Sequence, residues 1–412
     1  MQKPLRVASL IAVTVSVACL HHGRRPAANS PASPAAAPVA APARPTVTYR
    51  PVHKGGADIS TGLYTRTDDD LVLNTSMPVV LNRTYLSNDH TSRQFGVGAM
   101  HDGEWWIRGD SDPGVPWGEL ILADRGRIRF TRISPGNTQA GAVLRHDTTP
   151  TEFNGALLSW NGSLWEMRFR DGALAFFLDC QRQQDVCSVV ERRDSAGHSI
   201  AFTRDATGRL QRMDSEGQSI AFDYDDHKRI VRAYDTSQHV VRYTYDDKGR
   251  LIRASSSDGT TRDYTYDERD GLIGVREPGR ILKNWYDESG RWIRQEVRSS
   301  DFDNDPYVAT ARYIVEHDSI VQADFDDGNG VERLQYNARH YIVSDTFDAD
   351  SPAPITFTYD RDITTNEVKG ATISCVGPEG PVTRSAPLTP NGDARGQRLL
   401  MRQTCLARGS SR

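Results

Sequence analysis

A motif returns every 20 or 21 residues through the second half of the chain, and it leaves little choice of fold. Aligned on Arg204, Tyr224, Tyr245, Tyr266 and Tyr286, its steps are 20, 21, 21 and 20 residues. An aspartate follows each anchor, at Asp205, Asp225, Asp246, Asp267 and Asp287. Six residues after each anchor stands a large apolar side chain: Leu210, Ile230, Leu251, Leu272 and Trp292. Two and four residues before it come Phe202 with Ile200, Phe222 with Ile220, and Tyr243 with Val241. Alternate residues share one face of a strand, so these columns predict one buried side. The residues between them are mostly Thr, Arg and Asp, which suits a wetted face. By the same parity, Arg212, Arg232, Arg253 and Arg294 are expected on the tyrosine-bearing side, near strand ends. There they could stack on rings or cover apolar surface with their stems.

The turns follow from residue chemistry. In Asp246-Asp247-Lys248-Gly249, Asp takes the first place of a type I turn and Gly the fourth. Asp205 to Gly208 and Asp287 to Gly290 repeat that arrangement. Return turns carry Gly197, Gly217, Gly259 and Gly279, and Asp258-Gly259 is a strong hairpin signal. Each unit is therefore strand, turn, strand, turn, and the units add up to an antiparallel meander. Looser copies anchor on Tyr313, Tyr336 and Tyr359. Drift of this kind toward an end is typical of a capping repeat.

Residues 51–190 read as a separate all-β domain. Val79 to Leu81, Leu120 to Leu122, Leu157-Leu158 and Ala173 to Leu178 are strand-like, with turn dipeptides at Asp102-Gly103, Asn161-Gly162 and Asp171-Gly172. The expected plan is a signal peptide over 1–18, a Pro/Ala-rich linker over 19–50, the β domain, hairpin repeats over 191–370 and a tail over 371–412. Lys3 and Arg6 precede a short apolar run from Val7 to Ala18, too short to span a bilayer as a helix. Small residues at Ser16 and Ala18 precede Cys19, as in a bacterial lipoprotein signal, although Ser16 stands where such signals usually have Leu. Plain secretion cuts the same bond. Export to the cell envelope, with a lipid on Cys19 anchoring the protein to the membrane, is the first expectation; secretion is the second.

The chain has five cysteines. With Cys19 set aside, an oxidising compartment favours the pairs Cys180 with Cys187 and Cys375 with Cys405, unpaired thiols being the alternative. Charged residues make up 25% and the formal net charge is -4, so there is no basic footprint for nucleic acid. The 37% apolar content is low for a dense globule and fits a repeat sheet.

The intact motif Tyr245-Asp246-x-x-Gly249-Arg250-Leu251 resembles the YD repeat of RHS proteins. The segment before it is similar to the domain of unknown function that often precedes those repeats, through Asp58 with Thr61-Gly62, Asn82-Arg83-Thr84-Tyr85 and Phe95-Gly96-Val97-Gly98. Ala99-Met100 departs from that pattern, where relatives usually have a Trp. The resemblance implies repeats that coil into a β-shell, which in long family members can enclose a C-terminal toxin behind a self-cleaving Asp-Pro-x-Gly core. Asp305-Pro306 and Asp112-Pro113 lack that Gly. The expectation is a short form without core or toxin, whose repeats make a curled open sheet.

No catalytic residue, cofactor or metal is expected. Gly197-His198-Ser199-Ile200-Ala201 looks like a serine-hydrolase elbow, but its string recurs one repeat later at Gly217 to Phe222. Asp301, Asp303 and Asp305 start like a calcium loop, yet Pro306 replaces the required Gly. Trp105, Trp106 and Trp117 could form a platform for sugar rings or could be core. The leading expectation is a non-enzymatic envelope lipoprotein whose sheet binds or scaffolds, with a surface glycan or another envelope protein as partner. Its alternatives are a glycan-binding or glycan-active protein and an accessory of a toxin-delivery system.

Overall fold

The computed structural model describes residues 53–109, 114–123, 126–179, 187–377 and 380–387. Cys19, Cys180 and Cys405 lie outside them, as do the expected signal peptide and the whole of the linker. The described residues are β throughout, apart from two single-turn 3-10 segments. The all-β expectation holds, and it takes three connected forms.

The first is a five-stranded sheet built on the hairpin Leu63–Leu73 and Val79–Leu86. Its remaining strands are His53–Lys54, Ala57–Asp58 and Ala99–Met100. The second is a ring of eight antiparallel strands running from Trp106–Gly109 to Cys187–Arg193. It closes where Cys187 pairs with Ile107 and Ser188 with Trp106. Alternate residues fill its interior: Leu120, Phe130, Leu144, Leu158, Met167 and Phe177 are all nearly or fully buried. The sequence does not encode this closure, because short strands joined by turns look alike whether the sheet is open or shut.

The third form is the meander. Strand Cys187–Arg193 pairs with the ring at its start and with Ser199–Arg204 at its end. The expected boundary at residue 190 thus falls inside a strand that serves both. From there each strand pairs with the next as far as Gly380–Pro387. That last described strand pairs with its predecessor, Val368–Gly377.

The predicted columns are buried: Phe202, Phe222, Tyr243, Leu210, Ile230, Leu251, Leu272 and Trp292 are each at most 5% exposed. They share one core with Tyr64, Leu71, Leu81 and Phe95 of the N-terminal segment. The repeats therefore wrap the five-stranded sheet and cover both partners' apolar faces. Each large side chain so buried contributes about 1.5–3 kcal/mol.

The arginine column is a correction. Each of the five tight repeats carries a β-bulge at its anchor, between Thr203 and Arg204, Asp223 and Tyr224, Thr244 and Tyr245, Thr265 and Tyr266, and Trp285 and Tyr286. In the four that carry the arginine column, the extra residue follows the column apolar residue: Gln211, Val231, Ile252 and Ile293. One extra residue reverses the alternation beyond it. Arg212, Arg232, Arg253 and Arg294 therefore lie on the outer face. There Arg232 meets Asp223 at 3.0 Å, Arg253 meets Asp263 at 2.5 Å, and Arg294 lies over the Trp285 ring at 5.2 Å.

Candidate functional site: the repeat ladder and its interlock

Each part of the Tyr-Asp-x-x-Gly-Arg motif has a task. The Asp carboxylate caps its own turn: Asp246 Oδ1 accepts from the Lys248 and Arg250 amides, at 3.0 and 2.9 Å. Its Oδ2 accepts from Arg250 Nε at 2.8 Å. Asp205 with Arg209, Asp225 with Arg229 and Asp287 with Arg291 do the same. Each arginine then reaches forward over a later tyrosine ring. Arg209 covers Tyr224 at 5.3 Å, Arg229 covers Tyr245 at 4.5 Å, Arg250 covers Tyr266 at 5.1 Å and Arg291 covers Tyr313 at 5.9 Å. Each tyrosine reaches back, donating its hydroxyl to the carbonyl of a preceding column residue. Tyr245 reaches Ile230 at 2.6 Å, Tyr266 reaches Leu251 at 2.8 Å and Tyr286 reaches Leu272 at 3.0 Å. Burial pushes the phenols of Tyr245 and Tyr286 well above the ordinary tyrosine range, so they remain donors. The motif is thus a stitch between neighbouring hairpins.

The N-terminal segment is stitched to the same ladder by the residues that carry its family likeness. Asp58 folds the turn in which Gly62 N reaches the Asp58 carbonyl at 2.7 Å, and the Gly62 carbonyl then accepts from Trp292 N at 2.8 Å. Gln94 O accepts from Ile230 N at 2.7 Å, and Val97 N donates to Gly249 O at 3.1 Å. Gly96 has φ +84°, and a Cβ there would lie 2.3 Å from the Gly249 carbonyl, so only glycine lets the two backbones meet. Tyr85 Oη donates to the Asp270 carbonyl at 2.7 Å.

Between sheet and repeats lies a buried charge cluster that motif reading missed. Arg83, 4% exposed, donates to Asp70 at 2.5 and 3.0 Å and to Tyr264 Oη at 2.9 Å. Tyr243 donates to Asp70 at 2.7 Å and Tyr264 to Asp68 at 2.8 Å. Arg66 pairs with Asp68 at 2.7 Å and Glu277 at 2.8 Å, and Arg262 lies 3.5 Å from Asp70. Burial alone would raise the Asp68 carboxyl, but Arg83 and Arg66 hold it below the usual range. Three arginines face three carboxylates, which is the pairing a buried cluster requires. The run Thr65-Arg66-Thr67-Asp68-Asp69-Asp70 is polar throughout, and no motif in it marks Arg66 and Asp68 as buried partners.

A second buried pair, His101 and Glu104, closes a 3-10 turn at Asp102–Glu104, where the sequence suggested a simple Asp-Gly turn. His101 Nδ1 accepts from Gly103 N at 3.1 Å, and Glu104 Oε2 accepts from His101 N at 3.3 Å. His101 is fully buried beside Phe95 and Phe222, so the pair works as a cap. Burial pushes Glu104 up to about 7; burial and then Arg204 push His101 down to about 3. A raised acid pKa means that the fold holds the proton more tightly than the unfolded chain does. Its stabilisation is full below about pH 4.5 and is lost as pH rises through about 7, a difference of about 3 kcal/mol. Lowered His101 acts oppositely, losing stability as pH falls below about 6.5. Glu104→Gln is therefore expected to stabilise the protein at about pH 8 by roughly 2–3 kcal/mol, and far less at about pH 5. Urea unfolding at both pH values checks this, and an equal effect at the two would contradict it.

The tryptophans do not form one platform. Trp105 packs on Phe153, with Arg192 over its ring at 4.4 Å. Trp106 is on the opposite face from buried Ile107 and shares the ring's outer side with Trp117, which is covered by Arg129 at 4.3 Å. The elbow-like Ser199 opens a strand after a hairpin turn, with no helix following. Asp301 holds Arg276 in a two-pronged pair at 2.8 Å, and Asp303 accepts from the Ser299 and Asp305 amides. Cys187 and Cys375 are buried, at 0% and 6% exposure. Their expected partners Cys180 and Cys405 lie outside the described residues.

Two family models match the chain: a domain of unknown function, DUF6531, over residues 56–130, and the RHS repeat over residues 224–261. No curated protein matches. Among solved structures, the crystal structure of TcdB2-TccC3-TEV aligns at 11% identity and TM-score 0.36, covering 79% of this chain and 19% of that one. The Tc holotoxin pore of Photorhabdus luminescens aligns at 11% identity and TM-score 0.27, covering 81% and 21%. The chain thus spans about a fifth of the length of those solved chains. An RHS repeat therefore lies within the hairpin ladder over residues 224–261, and the segment stitched to that ladder is similar to the DUF6531 domain over residues 56–130.

Proposed function

We propose that this protein is a non-enzymatic cell-envelope scaffold, anchored by a lipid on Cys19, that presents its β-meander to a surface glycan or another envelope protein. The observation that carries the reading is the occupied inner face. The apolar side of the repeats is filled by the chain's own strands Leu63–Leu73 and Val79–Leu86. What the described residues leave for a partner is the outer face, with its paired arginines and half-buried Trp106 and Trp117, and the turn rims. Disulfides Cys180–Cys187 and Cys375–Cys405 belong to the same proposal, since an exported protein meets an oxidising compartment. Expression in a bacterium fed labelled palmitate tests the anchor. The wild type should carry label and sediment with membranes, and Cys19→Ser should carry none and be released. An unlabelled, freely soluble wild type would overturn the anchored reading.

A further inference from the structure

The stitch described above is interrupted once among the described tight repeats. Where the others have Gly-Arg or Lys-Arg, this unit has Asp270-Gly271. Asp270 takes the left-handed turn position, at φ 64°, and glycine falls where the arginine should stand. Two consequences follow. Tyr286 is the anchor tyrosine that the missing arginine would cover, and among the described residues no cation lies over its ring, unlike Tyr224, Tyr245, Tyr266 and Tyr313. Asp267 also keeps only half of its usual contacts. Its Oδ1 caps the turn, accepting from the Arg269 and Gly271 amides at 2.9 and 2.7 Å, while its Oδ2 lacks the arginine that the equivalent Asp205, Asp225, Asp246 and Asp287 all hold.

The vacated space is an open cleft of about 730 Å³ between the turns Asp267–Gly271 and Asp287–Gly290. The Tyr286 ring lines it, together with Ser87, Asn88 and His90 of the N-terminal segment. Its walls are acidic, with Glu268 and Glu288 at the rim beside Asp267. Other cations nearby are already engaged: Arg269 donates to the Glu288 carbonyl at 2.7 Å, and Arg250 to the Asp267 carbonyl at 2.8 Å.

We propose that this cleft is a guanidinium site, which takes an arginine side chain presented by a protein partner. The partner's planar group would lie on Tyr286 and donate to Asp267 Oδ2, as the chain's own arginines do in the neighbouring units. Guanidinium is preferred to ammonium because it combines a flat face for the ring with a fork of donors for the carboxylate. The inference deepens the scaffold reading by giving its surface a ligand class, and it rests on that reading. Arginine binding and palmitate labelling are separate readouts, so either can fail alone.

The test is a titration of the purified protein with Nα-acetyl-arginine amide, followed by NMR at the Gly271 and Gly290 amides. Saturable shifts are expected, with Nα-acetyl-lysine amide binding at least about tenfold more weakly. Gly271→Arg should supply the missing side chain internally and abolish binding. Its Cβ would first press on the Asp267 carboxylate, at 2.8 Å, the same neighbour that each ladder arginine accommodates. Asp267→Asn, which keeps the turn cap but loses the charge, should bind at least about tenfold more weakly. It decides the matter if Gly271→Arg does not fold. Absence of saturation in the wild type, or undiminished binding in either folded variant, overturns the proposal.

Discussion

Replacing Arg83 by methionine is expected to destabilise the protein by about 3–5 kcal/mol, because it leaves buried carboxylates without their principal cation. The Asp70 side chain is 1% exposed and would keep only the Tyr243 hydroxyl and the more distant Arg262. Solvent cannot enter to compensate, since Phe95, Tyr243 and Tyr264 surround the guanidinium at 5.4–5.9 Å. Adding Asp70→Asn to the variant removes the stranded charge. The double variant should therefore be more stable than the sum of the singles predicts, with a coupling of about 1–3 kcal/mol. Urea unfolding followed by tryptophan fluorescence measures both quantities. A loss below about 0.5 kcal/mol would mean that the cluster is as forgiving as a surface ion pair.

A loss of similar size, about 3–5 kcal/mol, is expected for Trp292→Ala. Trp292 is fully buried and fills the column that Leu or Ile fills elsewhere. Its ring lies against Gly55, where an added Cβ would come within 2.8 Å of it, and its indole N–H donates to Asn284 at 3.2 Å. The backbone at this position receives Tyr313 from one side and contacts Gly62 on the other. Truncation thus opens a cavity at the junction of sheet and ladder. Trp292→Leu, which restores the usual column residue, should cost clearly less than Trp292→Ala in the same unfolding assay. Equal costs would show that the ring's contact with the N-terminal sheet contributes little.

The repeat part of this fold was legible because one local pattern is written many times. A period of two, an Asp at the turn and an apolar residue six places on each constrain the backbone independently, and they agree. Arg212, Arg232, Arg253 and Arg294 lie on the face opposite to the one parity predicts, for a definite reason. Parity counting assumes an unbroken strand, and the bulge at Gln211, Val231, Ile252 and Ile293 breaks it. A second apolar residue directly after the column residue was the available sign at three of these positions. The interlock was largely illegible. Arg83, Asp68 and Asp70 are buried only because residues nearly 200 positions away fold over them, and no local period encodes such a contact. The cleft at Gly271 was visible as a missing letter in the alignment, but its meaning needed the geometry of the neighbouring stitches.

The central claim is that the N-terminal sheet and the repeats unfold as one body, because each is the other's core. Hydrogen exchange on the intact protein tests it most directly. Amides of Leu63–Leu73 and Val79–Leu86 should share the opening free energy of the strands from Gln218–Tyr224 to Arg280–Tyr286, and Arg83→Met should lower both sets equally. Faster exchange in Leu63–Leu73 and Val79–Leu86 alone, with the repeats still fully protected in Arg83→Met, would contradict the account.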